Sequence, residues 1–126
     1  MQRRGFGELE AVVMERVWSN DDAVTVREVF ADLAARREIA YTTVMSTMDN
    51  LHRKGWLNRR REGRAYSYWP TMTREQRSAN LMCDAFHSGG DAGLVLNFFL
   101  EQMSDEESAQ LRVAMRKAAR RRPAPA

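Results

Sequence analysis

Between residues 41 and 54 the side chains separate by chemistry as well as by polarity. At about 100° per residue, Tyr41, Val44, Met48 and Leu51 project to one side of a helix, and Thr42, Ser46, Asp49, Asn50 and Arg53 to the other. A merely solvated helix face usually carries Glu, Lys and Gln, which favour helices, whereas Thr, Ser and Asn weaken them. Short hydrogen-bonding side chains in this pattern match the donors and acceptors of a base edge or a phosphate, and Asn50 is chemically suited to an adenine edge. Thr42, Thr43, Ser46, Thr47 and Asn50 are therefore the candidate contacts, with Arg53 and Lys54 adding positive charge at the helix end.

The charge that would hold a polyanion is concentrated next in the chain. Residues 1–52 hold six arginines and nine acids, whereas residues 53–64 hold Arg53, Lys54, Arg59, Arg60, Arg61 and Arg64 against Glu62 alone. Arg59, Arg61 and Arg64 are candidate phosphate contacts, a term that positions a protein on DNA and makes binding salt dependent. A second basic run, Arg116, Lys117, Arg120, Arg121 and Arg122, precedes a Pro-Ala tail at 123–126 that reads as disordered. Taken alone, either run also reads as a solvated face.

Chemistry of other kinds is thinly represented. The two histidines are His52, a flank residue beside Arg53, and His87. Cys83 and His87 lie four apart on one helix face with Asp84 beside them, which supplies two metal ligands where a closed site needs about four. Metal or redox sensing through Cys83 and His87 is one alternative function, and Cys83 as a small buried residue is its structural counterpart. No phosphate-cradling Gly-rich loop or nucleophile elbow is present, so the chain does not read as an enzyme, and no cofactor is expected.

The elements that must position these residues follow from periodicity. Leu9, Val12, Val13 and Val17 predict a first helix over 7–19, and the Thr25–Glu28 capping box with Val26, Val29, Phe30 and Leu33 predicts a second over 25–36. The third runs from about 40 to 54 and stops at Gly55, a residue suited to the left-handed position after a helix. The period then changes to two: 56–61 and 65–69 read as strands joined by a turn at Glu62-Gly63-Arg64, a hairpin with a basic tip. Three helices and a hairpin in this order form a winged helix-turn-helix, with the outward side of the third helix as its reading face.

Beyond Pro70 a second region begins, predicted as helices over 72–87, 94–103 and 104–121, the last opened by a Ser104–Glu107 capping box. The middle helix is nearly all apolar, and three short helices around it cannot close a good core within one chain. Leu81, Phe86, Leu94, Leu96, Phe99, Leu100, Leu111 and Met115 are therefore the candidate dimerisation residues, a homodimer being the economical solution. Folding these helices back on residues 1–70 is the alternative.

The fold class expected is mainly α: a winged helix-turn-helix at 1–70, a helical dimerisation region at 71–122, and the tail. The chain's 126 residues, 44% hydrophobic and 29% charged, suffice for a core without staples, and its single cysteine forms no internal disulfide. No stretch approaches the roughly 20 apolar residues of a membrane helix, and Met1–Gly5 leads into Glu8 and Glu10 without an apolar signal core, so a cytoplasmic protein is expected.

The residues Ala40-Tyr41-Thr42-Thr43-Val44-Met45-Ser46-Thr47-Met48, then Leu51, Lys54-Gly55 and Arg64-Ala65-Tyr66-Ser67-Tyr68-Trp69-Pro70, resemble the penicillinase-repressor family, the BlaI/MecI/CopY group. The likeness extends through Gly7-Glu8-Leu9-Glu10 and Trp18-Ser19 and covers most of residues 5–115. It implies a bacterial transcriptional repressor whose winged helix reads double-stranded operator DNA in the major groove and whose C-terminal helices dimerise. Val95-Leu96-Asn97-Phe98 is similar to the Asn-Phe bond that beta-lactam-responsive members expose to a membrane sensor protease pathway; packing of Asn97 and Phe98 in a core helix is the other reading. Copper-responsive relatives carry clustered cysteines near the C-terminus, and none follows Cys83 here. Where members commonly have Arg before the residue matching Leu51, this chain has Asn50 preceded by Asp49, so the family's operator does not transfer. A non-specific or architectural DNA-binding protein is the remaining alternative.

Overall fold

Gly7 opens the first helix by donating its backbone N–H to the Glu10 carboxylate at 3.0 Å, which occupies a donor that the first turn leaves without a helical partner. The computed structural model describes residues 5–122. Helix α1 (Glu8–Trp18) turns Val13, Met14 and Val17 inward. A two-residue strand, β1 (Val24–Thr25), leads directly into α2 (Val26–Ala34), whose start is fixed reciprocally: the Thr25 hydroxyl accepts from Glu28 N–H at 3.2 Å, and the Glu28 carboxylate accepts from Thr25 N–H at 2.9 Å. Such a cap contributes about 1 kcal/mol.

Helix α3 (Tyr41–Arg53) ends as its sequence predicts. Gly55 takes φ +87°, its N–H donates to the His52 carbonyl at 3.0 Å, and Trp56 N–H reaches back to the Leu51 carbonyl at 2.9 Å. These two bonds close the helix and turn the chain into the hairpin, a conformation only glycine enters without steric cost. Strand β2 (Leu57–Glu62) pairs antiparallel with β3 (Ala65–Pro70), from Leu57 opposite Pro70 to Glu62 opposite Ala65. That register leaves Gly63 and Arg64 as a two-residue turn, with Gly63 at φ +64°. On its other edge β3 pairs with β1, Val24 opposite Tyr68 and Thr25 opposite Ser67, giving the order β1-β3-β2.

One core unites these elements. Val13, Met14 and Val17 of α1, Val29 of α2, Val44, Met48 and Leu51 of α3, Val24 of β1, Leu57 of β2 and Tyr68 of β3 are buried together. Each fully buried aliphatic side chain contributes roughly 1.5–3 kcal/mol, so three from α3 alone fix which face of that helix is left outside.

The expected domain boundary at residue 70 differs from the observed one, because the first compact unit runs on to Leu81. Helix α4 (Arg74–Ser88) begins within that unit: the Trp18 indole N–H donates to the Met72 carbonyl at 3.0 Å, Arg74 pairs with Glu15 at 2.8 Å, and Arg77 lies buried against the rings of Phe6 and Trp56. The second unit, from Met82 onward, holds the end of α4, then α5 (Ala92–Glu101) and α6 (Asp105–Arg121). Asp91 caps α5 by accepting from Leu94 N–H at 3.0 Å, and Ser104 and Glu107 cap α6 reciprocally. No described residue from 82 to 122 is buried. Among the described residues, no helix is long and apolar enough to cross a membrane. The tail at 123–126 lies outside the described residues.

Candidate nucleic-acid interface

With Val44, Met48 and Leu51 in the core, the outer side of α3 presents Thr42, Thr43, Met45, Ser46, Asn50 and Arg53 to solvent. Thr47 departs from the expected set. It is only 9% exposed, and its hydroxyl donates to the Thr43 carbonyl one turn earlier at 2.8 Å, so both its surface and its donor are used inside the protein. A threonine can occupy a semi-buried helical position in this way, which hides a core site behind a polar residue type.

The basic residues near α3 fall into two groups. Arg59 of β2 is half-buried: its guanidinium stacks on the Tyr66 ring at 4.1 Å, donates to Asp49 at 2.8 Å, and reaches the Tyr68 hydroxyl at 3.4 Å. The bonds to Tyr68 and then Asp49 raise the Arg59 pKa further above its ordinary value, so it stays charged. Arg53 pairs with the same Asp49 carboxylate from one helical turn away. Lys54 pairs with Glu10 of α1 at 2.7 Å. These contacts pin the hairpin and α1 to the end of α3.

The second group faces outward. Arg61 is exposed, with its Nε donating to the Gly63 carbonyl at 3.1 Å, and Arg60 pairs with Glu62 at 3.1 Å. Arg64 sits exposed in the turn, its side chain without a hydrogen bond or ion pair among the described residues. Arg61 and Arg64 thus keep exposed guanidinium groups at the hairpin tip, whereas Arg59 is built into the scaffold.

Asp49 reads differently in the structure than in the sequence. Hydrogen bonds from Arg59 and then Arg53 hold its carboxyl below the usual range against a smaller opposing effect of desolvation. The acid on α3 is therefore ionised and matched by two arginines. Glu10 is similarly held below its ordinary value, by Lys54 first and the Gly7 N–H second.

A groove of about 320 Å³ runs beside this face, lined by Thr25, Val26, Arg27, Tyr41, Met45, Arg64, Ala65, Tyr66 and Tyr68. Arg27, Tyr41 and Met45 have no signal in the sequence as groove residues: Tyr41 falls by its spacing on the apolar side of α3 and Met45 is apolar by type, yet they are 40% and 44% exposed. Arg27 is an ordinary surface arginine until the groove brings it near the hairpin.

Residues 6–117 match the profile of the family described as "Penicillinase repressor". The chain belongs to the penicillinase-repressor family. Over 113 residues it is 38% identical to "Transcriptional regulator BlaI" of Mycobacterium tuberculosis (strain CDC 1551 / Oshkosh), spanning 87% of this chain and 82% of that relative. It is 26% identical over 110 residues to "Penicillinase repressor" of Bacillus licheniformis, spanning 84% and 85% of the two chains. Its structure is similar to the solution structure of the DNA binding domain of the repressor BlaI, with TM-score 0.51 and 25% identity over 59% of this chain and 90% of that one. This member of the family is a DNA-binding transcriptional repressor of winged-helix fold, not an enzyme.

In the repressor's second unit the apolar residues stand outside. Leu94, Leu96, Phe98, Phe99, Leu100 and Met115 are 40–63% exposed, Leu81 at the end of the first unit is 44% exposed, and Phe86 and Leu111 are half-buried. Met82, Cys83, Ala85, Phe86, Val95, Leu96 and Phe99 line an apolar cavity of about 340 Å³. The expectation that Cys83 is buried is corrected here: it is exposed, because the cavity that it lines with Val95, Leu96 and Phe99 is open rather than filled. Among the described residues, no three of His, Cys, Asp and Glu gather in a way that could hold a metal ion. The ring of His87 instead lies 5.8 Å from that of Phe86.

Proposed function

We propose that the repressor acts in the cytoplasm as a homodimer on a two-fold symmetric operator, with α3 in the major groove and the hairpin tip on the adjoining backbone. The observation that carries the reading is the division of labour on α3: one face buries Val44, Met48 and Leu51, and the other exposes Thr42, Thr43, Ser46 and Asn50 beside the outward cations Arg61 and Arg64. The exposed leucines and phenylalanines of α5 and the apolar cavity beside them support dimerisation, since a contiguous exposed apolar patch is stabilised by meeting another apolar surface. Two-fold symmetry of the protein then dictates two half-sites about one helical turn or a multiple of it apart.

Relief of repression is assigned to scission of the Asn97–Phe98 bond in α5 downstream of a membrane sensor protease pathway. Both residues are exposed, and cutting between them divides the helix that carries the apolar face. Loss of the dimer removes the second half-site contact, and with it the gain in affinity from linking two binding events. This role fits the antibiotic-resistance setting named by the family.

The test is selection of bound sequences from a random duplex pool by the full-length protein at near-physiological salt, since affinity without a stated salt concentration cannot be interpreted. A two-fold symmetric motif is expected. Recovery of no motif would replace this reading with non-specific binding.

A further inference from the structure

Met45 stands apart among the exposed residues of α3. Thr42, Thr43, Ser46 and Asn50 all carry hydrogen-bonding groups, whereas Met45 leaves 44% of its surface in solvent with no strong donor or acceptor. A lone exposed apolar side chain is ordinary, but the surroundings of this one are specific. It borders the groove between α3 and the hairpin with Tyr41, Tyr66, Arg27 and Arg64, and no carboxylate lines that groove. The side chains of Arg27 and Arg64 form no hydrogen bond or ion pair among the described residues, and the nearby acid, Asp49, is matched by Arg59 and Arg53. The result is an apolar floor with a cationic rim, complementary to a polyanion that offers an apolar group.

In the major groove the base pairs present donors, acceptors and one apolar group, the C5-methyl of thymine. An apolar side chain on a reading helix can therefore discriminate among bases by that methyl and by little else. We propose that Met45 is a specificity-determining residue that recognises thymine through its 5-methyl group, with Arg27 and Arg64 neutralising phosphates of the adjoining backbone. The inference rests on the reading of α3 as the helix in the major groove. Burying one methyl group against Met45 corresponds to about fourfold in affinity for each half-site.

The experiment uses the full-length protein and the duplex recovered from the random pool, with each thymine of one half-site replaced in turn by deoxyuridine, which lacks only the methyl. One position is expected to weaken wild-type binding about fourfold. Met45→Ala should bind the thymine and uracil duplexes equally at that position while melting at the wild-type temperature, because the side chain is outside the core. Uniform insensitivity of the wild-type protein, or a methyl effect that survives in Met45→Ala, overturns the role of Met45 and leaves the repressor reading intact. Failure of the pool to yield any motif overturns both.

Discussion

The carboxylate of Asp49 on α3 accepts a hydrogen bond from Arg59 of β2 at 2.8 Å, and so ties α3 to the hairpin across the turn at Gly55. Arg53 holds the same carboxylate from one helical turn away, and Tyr66 and Tyr68 hold the other faces of Arg59. An acid on the outer side of α3 would by itself repel phosphate. Here it serves to orient a cation and a hairpin, and its charge is offset locally by both arginines. Two cations expected at the phosphate backbone, Arg59 and Lys54, are in this way parts of the frame that presents the others.

Protonation of Asp49 and Glu10 should loosen that frame. Both carboxyls lie below their ordinary values of 3.8 and 4.5, so the stability they contribute is fully present above those values and is lost as pH falls through the lower folded ones. Thermal unfolding of wild type and Asp49→Asn should therefore differ at pH 7, and the difference should shrink below about pH 4. A difference that grows as the solution is acidified would contradict the ion-pair role.

Reader and anchor residues should separate in binding assays. Asn50→Ala should change preference at one base position per half-site, by about 1–3 kcal/mol if the contact is bidentate, with little change in salt dependence. Arg61→Ala should weaken all sequences alike and make the dimer's salt slope shallower by about 2, one phosphate contact being lost per subunit. The reverse pattern, a base-specific loss at Arg61 and a uniform one at Asn50, would exchange their roles.

Much of this architecture is legible in the sequence, for identifiable reasons. Val44, Met48 and Leu51 recur at helical spacing, Gly55 stops the helix, and an aromatic segment after the Glu62-Gly63-Arg64 turn marks the hairpin, so α3 and the wing follow from local patterns. What escapes is tertiary. Val24–Thr25 is too short to show a period and becomes a strand only because β3 offers an edge. The Asp49–Arg59 pair spans a helix and a strand and has no local signature. Thr47 conceals a core position because its hydroxyl returns to the Thr43 carbonyl, and Arg77 conceals one because aromatic rings, not acids, surround it.

Arg77 carries a stability prediction. It is 6% exposed, with its guanidinium 4.7 Å from the ring centroids of both Phe6 and Trp56, and it joins the start of α4 to the winged helix. Its Nη1 is buried without a hydrogen-bond partner among the described residues, so the rings rather than polar contacts hold the group. Arg77→Ala removes two cation–π contacts and leaves a void, and should lower the unfolding free energy by about 2–3 kcal/mol in urea titrations. Arg77→Met, which refills much of the volume without a charge, should recover part of that loss. A cost under about 0.5 kcal/mol for Arg77→Ala would place the residue among ordinary surface positions.

The apolar face of the second unit makes the remaining prediction. Phe99 is 40% exposed on α5 and lines the cavity shared with Phe86 and Leu96, whereas the winged helix buries its own separate core. Phe99→Glu places a charge on that face, and a charge cannot enter an apolar interface without losing its hydration. Sedimentation should show wild type as a dimer and Phe99→Glu as a monomer, while the fluorescence and melting of the tryptophan-bearing winged helix stay unchanged. Affinity for an isolated half-site should be preserved, and affinity for the full symmetric site should fall by about 100-fold or more, the gain that linkage of two sites provides. A variant that stays dimeric would move the interface away from α5, and one that loses half-site binding as well would show that the two units depend on each other for folding.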